Sequence, residues 1–178
     1  MDTQTGGIVW NLTFNELFTD IFELQSRIAS KVFNEFSITD TQKEDVPTEN
    51  MEAYAHYLKG LELEASTKRN QRRREAEEQL GLAIQKDSSF IDPYVSLVRV
   101  KTSWMFYKRG LKGKPEYDSV LNEVMGLRDY AKVHFSGTPQ YTLILGFITY
   151  VIDQNYDEAQ QLFEKVLADD PENFHAHS

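Results

Sequence analysis

The residues best equipped for chemistry in this chain are scattered, and each arrangement fails on spacing. Gly110-Leu111-Lys112-Gly113-Lys114 has the glycines and lysines of a phosphate-binding loop. Two residues separate the glycines where four are needed, and Pro115 stands where a Ser/Thr would ligate magnesium, so nucleotide binding is disfavoured. His175 and His177 lie two apart, which on a helix aims them in different directions, and a surface turn is the plainer reading. His56 and His134 have no carboxylate or cysteine partner at ligand spacing. Glu62 and Glu64, like Glu75, Glu77 and Glu78, read as solvated helix faces, and no acid–base pair emerges. Asn11-Leu12-Thr13 fits a glycosylation acceptor but falls within a strand pattern, where chance is the simpler source. The chain has no cysteine, which removes disulfides, thiolate catalysis and cysteine zinc sites and leaves the redox compartment open. The expectation is a non-enzymatic chain with no catalytic residue, no metal and no cofactor.

Basic side chains are the one chemical cluster that stands out. The formal net charge is −9, yet Lys68, Arg69, Arg72, Arg73 and Arg74 lie together, as do Lys108, Arg109, Lys112 and Lys114, nine of nineteen basic residues. If both clusters occupy equivalent turns of a repeated unit, they stack into one basic edge suited to an acidic partner, an anionic lipid surface or nucleic acid. The competing reading is a pair of solvated turns whose arginines pair with Glu75, Glu77 and Glu78 within a helical turn. An acidic chain weighs against nucleic acid.

A repeat must position these turns. Ala76, Leu80, Ala83, Ile84 and Asp87 recur 83 residues later as Ala159, Phe163, Val166, Leu167 and Asp170, with Pro171 behind the second set. Offsets of 0, 4, 7 and 8 form one stripe of an α-helix, and the small first residue lets a neighbouring backbone come close. Asp170-Pro171 then stops the helix, because proline lacks the N–H and biases the preceding residue out of helical geometry. Self-similarity of this kind predicts stacked copies of one supersecondary unit.

On these residues the chain resembles the tetratricopeptide repeat, a helix-turn-helix unit of about 34 residues. Asn155-Tyr156-Asp157-Glu158-Ala159 matches the turn and start of the second helix, Asp170-Pro171-Glu172-Asn173 the link to the next unit, and Leu145-Gly146 the Leu-Gly pair of the first helix. Tyr94 and Leu97 take the tryptophan and leucine positions of the middle unit, and Ser88 replaces the first unit's proline. The resemblance implies an all-α fold, a right-handed α-α superhelix of tetratricopeptide-type helix pairs. Its units run over about 51–90, 91–138 and 139–173, with a fourth starting at 174. The middle unit has 48 residues and the third 35, so the middle one carries a stretched turn around Gly110–Pro115 and a long second helix from Tyr117 to Ala131. Arg128 falls there where the family has a large apolar residue.

The family binds extended peptides or helices in the concave groove lined by first helices, and the groove positions fall on Tyr54, Tyr57, Arg99, Thr102, Phe147 and Tyr150. The alternative is that these aromatics pack between helices. The Lys and Asn of the clamp that holds chaperone carboxyl tails are missing, with Tyr57, Leu61, Gln140 and Ile144 in their places.

The first 50 residues read differently. Ile8, Trp10, Leu12 and Phe14 alternate as in a half-buried strand, a helix follows from a capping arrangement at Asp20 and Glu23 to Phe36, and 37–50 is a polar linker. With Thr5-Gly6-Gly7-Ile8-Val9-Trp10 and Tyr57-Leu58-Lys59-Gly60, the order is similar to the junction between a TolB amino-terminal-like domain and tetratricopeptide repeats. Such junctions recur in bacterial adenylate or guanylate cyclases and in CadC-like winged-helix regulators. The expected domains are a remnant of an α/β domain at 1–36, the linker at 37–50 and repeats over 51–178. The expected function is protein–protein interaction or scaffolding within a larger bacterial signalling protein. The alternative is the sensory part of a winged-helix transcription regulator whose basic edge contacts nucleic acid or another anionic partner. The expected partner is a protein or peptide, with self-association through strand 8–14 or the open last helix as a further route. No run of apolar residues is long enough to span a membrane. A cytoplasmic setting is expected, or a periplasmic one if the parent carries an upstream span.

Overall fold

The computed structural model describes residues 47–65, 69–173, 175 and 176, all within the second of the chain's two units, Lys43–Ser178. The expected strand at 8–14, the helix ending at Phe36, Lys68 and the Arg69 side chain lie outside the described residues. Among those described, the structure is all-helical, with six α-helices: α1 Met51–Ala65, α2 Arg69–Lys86, α3 Asp92–Tyr107, α4 Pro115–His134, α5 Pro139–Ile148 and α6 Tyr156–Asp169. None of them is long and apolar enough to cross a membrane.

Caps and prolines set the helix ends. The Asn50 side chain accepts from Ala53 N at 3.0 Å and donates to the Lys86 carbonyl at 2.9 Å, so one amide serves the start of α1 and the end of α2. Thr138 and Asn155 cap α5 and α6 by accepting from Tyr141 N and Glu158 N. Proline occupies the first turn of α3, α4 and α5, where its missing N–H is harmless. α6 stops at Asp169, with Asp170 drawn out to ψ 87° ahead of Pro171. Within the stretch read as linker, Thr48 is buried and its hydroxyl donates to Asp87, whose carboxylate the Ser89 and Thr48 hydrogen bonds hold below its ordinary range.

The helices pair in antiparallel fashion. Lys86 meets Glu52 at 2.7 Å and His56 meets Gln79 at 2.8 Å across α1 and α2. Across α3 and α4, Lys101 meets Glu123 at 2.6 Å while Tyr94 stacks on Tyr130 at 5.2 Å. Phe147 lies 5.4 Å from Phe163 and Tyr150 5.2 Å from Tyr156 across α5 and α6. The pairs then stack, with α3 against α2 and α5, and with further contacts of α1 to α3 and α4 to α5. Val95, Val98, Met105, Val124, Leu143 and Ile144 make the shared interior.

The recurring stripe does bury: Ala76, Leu80, Ala83, Ala159 and Val166 are all within 2% of full burial. The closest approach, however, comes from glycines on the facing helices. A Cβ on Gly60 would lie 2.7 Å from Leu80, and one on Gly146 would lie 2.7 Å from the Phe163 ring. In the middle unit, the extra length becomes a 3-10 turn at Arg109–Leu111, a bend at Gly113 with φ 81°, and the 20 residues of α4. Arg128 sits half-exposed on α4 beside Asp129 at 2.7 Å, leaving the interior to Val124 and Ala131. α5 runs on into a π-helical turn, Thr149–Asp153, with the wider i→i+5 closure.

Candidate functional site

The six expected groove residues lie on the first helices of the three pairs, and burial divides them. Thr102 is 1% exposed and spends its hydroxyl on the Val98 carbonyl of its own helix. Phe147 is buried against Phe163. Arg99 is buried as well, with Nη2 2.6 Å from Glu64 Oε2 in an ion pair that ties α1 to α3. Thr102 and Phe147 therefore face the interior rather than a ligand, and Arg99 is committed to a carboxylate. Tyr57 packs edge-on against Phe90 at 5.1 Å, and burial, aided by the nearby Asp92 charge, pushes its hydroxyl up to about 12. Burial also raises the Asp92 carboxyl, with the Gln140 amide drawing it partly back. Of the six, Tyr150 alone is exposed, while Tyr54 and Tyr57 are half-buried.

Glu64 corrects the reading of the acidic residues as solvated faces, because it is 7% exposed. It lies one helical turn after Gly60, on the stripe that meets the next helices. Glu77 is drawn in too, bonded to Arg73 and 3.5 Å from Lys101. Lys101 thereby links α2, α3 and, through Glu123, α4.

His175 also departs from expectation. It sits in a turn but is largely buried, and burial, with the Arg99 charge second, lowers its imidazole to about 4. The folded state thus excludes a proton that the free side chain takes up near 6.5. The packing of this turn is undiminished above about 6.5 and weakens as pH falls toward about 4, by up to about 3 kcal/mol. We expect a ¹H NMR titration to place the His175 midpoint well below that of an unstructured histidine, with amides 173–176 losing exchange protection over the same window. Titration near 6.5 would refute the packing.

Each basic turn sets an arginine over an aromatic ring. Arg73, half-buried, lies over the Trp104 ring at 4.9 Å and binds Glu77, so one arginine of the cluster is internally satisfied, as the competing reading required. Arg74, Lys108, Arg109, Lys112 and Lys114 are exposed, and Arg72 is half-exposed. Arg73, Trp104 and Tyr107 line one shallow cleft with Glu64 and Val100. No acidic residue occupies the first turn of α2, so its arginines oppose the helix dipole and are not there to stabilise it.

Beyond that cleft runs an aromatic strip of which only Tyr150 was among the expected groove residues. Arg109 caps the Phe106 ring at 5.2 Å, Phe106 touches Tyr107 at 5.7 Å and stacks on Tyr150 at 6.1 Å, and Tyr150 meets Tyr156 edge-on at 5.2 Å. Tyr107, Tyr150 and Tyr156 are 71%, 41% and 55% exposed, a contiguous apolar surface. The run Trp104-Met105-Phe106-Tyr107 ahead of a basic turn was its visible signal in the sequence. Among the described residues, no group of three His, Asp or Glu side chains converges to hold a metal ion. No family model, curated protein or solved structure matches the chain.

Proposed function

We propose that the helical body is a non-enzymatic protein-binding module, a right-handed superhelix of tetratricopeptide-type pairs serving as the regulatory or scaffolding part of a larger bacterial signalling protein such as an adenylate or guanylate cyclase. The observation that carries this reading is a surface of exposed tyrosines with arginine at its flank, held on stacked antiparallel helix pairs. Tyrosine and arginine are the side chains that most often anchor protein interfaces. Rigid helices also present them with little ordering cost. The reading places the module in the cytoplasm, or in the periplasm if the parent has an upstream span.

A second reading, favoured by the exposed Lys108, Arg109, Lys112 and Lys114, is a winged-helix regulator whose basic edge touches nucleic acid. Panning a random peptide library against the full chain tests the first. Convergent peptides that bind stoichiometrically support it. Failure to select any, together with duplex binding that weakens steeply with salt, would replace it with the second.

A further inference from the structure

We propose that the edge formed by the turns of the second and third helix pairs docks a short segment of a partner protein in which acidic side chains alternate with apolar ones. The proposal rests on the protein-binding reading and names the chemistry of the partner and the place where it sits. Three features of the edge point the same way.

The first is the apolar strip itself. Phe106, Tyr107, Tyr150 and Tyr156 support one another at ring distances of 5.2 to 6.1 Å, so they are held in place before any partner arrives. Tyr107, at 71% exposed, has the most surface to lose to a partner. Pre-held aromatic anchors are what a hot spot requires.

The second feature is the charge beside the strip. Arg109 sits on Phe106, with exposed Lys108, Lys112 and Lys114 in the same turn. Arg109 thus flanks the aromatic surface, within a basic turn on a chain whose net charge is −9. A partner that follows this turn and the strip together must offer carboxylates next to apolar side chains.

The third feature selects a peptide over a polynucleotide. Exposed Glu75, Glu78, Glu116 and Asp157 adjoin the same basic and aromatic residues along the chain. A duplex carrying one charge per roughly 1.7 Å cannot avoid them. A peptide with a few spaced carboxylates can pair with the cations and leave the acidic positions in water.

The test uses the full chain and a short fluorescein-labelled peptide in which glutamate alternates with leucine and phenylalanine, followed by anisotropy and by amide chemical shifts. Binding should be saturable, with shifts centred on 104–109 and 150–156. Tyr107→Ala and Arg109→Glu, both at exposed positions, should each weaken it roughly tenfold with unchanged circular dichroism. Tyr54→Ala should leave it unaltered. Replacing the peptide's glutamates by lysine, or its apolar residues by serine, should abolish binding. The proposal is overturned if the serine peptide binds as well, if Tyr107→Ala and Arg109→Glu change nothing, if a single-stranded oligonucleotide displaces the peptide at lower concentration, or if the strip is covered by a second copy of the chain in solution. Library-selected peptides that bind only elsewhere would sink this inference and spare the protein-binding reading; the absence of any peptide binding would sink both.

Discussion

Arg99→Leu destabilises the helical body by about 3–5 kcal/mol, as an expected result, while Glu64→Leu/Arg99→Leu together restores most or all of the loss. The Glu64 and Arg99 side chains are 5% and 11% exposed and 2.6 Å apart, so each makes the other's burial tolerable. Removing the guanidinium takes a 2.6 Å charge-assisted partner from a buried carboxylate, whereas removing both substitutes packing for a costly desolvation. Urea unfolding of the wild type, both single variants and the double variant measures the coupling directly, with unchanged denaturant slopes showing that the comparison is sound. Additive losses would mean that the pair is not a unit. A companion reading comes from His175, whose imidazole the Arg99 charge helps to lower, and whose midpoint should therefore rise in Arg99→Leu.

Four glycine-to-alanine changes are expected to split by sign. Gly60→Ala forces a methyl to 2.7 Å from Leu80 Cγ and Cδ2, and Leu80 is itself fully buried, so the side chain cannot simply swing away. Gly146→Ala meets Phe163 Cε1 at 2.7 Å and Cζ at 2.9 Å. Overpacking of about 1–3 kcal/mol then exceeds the gain in helix propensity of about 1 kcal/mol, and both variants lose stability. Gly81→Ala in α2 and Gly126→Ala in α4 have nothing within 4 Å and keep the propensity gain alone, so both should be stabilised. Thermal unfolding of the four proteins decides it. Stabilisation of Gly60→Ala would show that α1 and α2 do not approach as closely as described.

The local grammar of the helices was legible in advance. The stripe from Ala76 to Ile84 and its copy from Ala159 to Leu167 mark α2 and α6, because a helix buried on one side must repeat apolar residues every three to four positions. Asn155 and Asp170-Pro171 bracket α6 as expected, and the apolar-periodic segment from Tyr117 to Ala131 falls within α4. Less legible was the role of each residue on an inner stripe. Thr102 and Phe147 share a period with groove positions, and only the packing of successive pairs puts them out of reach. Glu64 looked like Glu62 because a charged residue usually marks water; its counterion is 35 residues away, on another helix, and no local pattern reports it. Of the exposed aromatics, Tyr150 was expected at the groove, but those at 107 and 156 escaped for a related reason. They sit at helix ends, where periodicity runs out and the neighbouring turn decides what is covered.

That surface runs through a π-helical turn. Thr149–Asp153 closes i→i+5 instead of i→i+4, so its side chains are spaced differently from those of an uninterrupted α-helix. Tyr150 lies in this wider loop, between Phe106 of the preceding pair and Tyr156 of its own. An indel there would act like a misplaced tooth on a ratchet, leaving each helix intact while breaking the continuity of rings from one pair to the next.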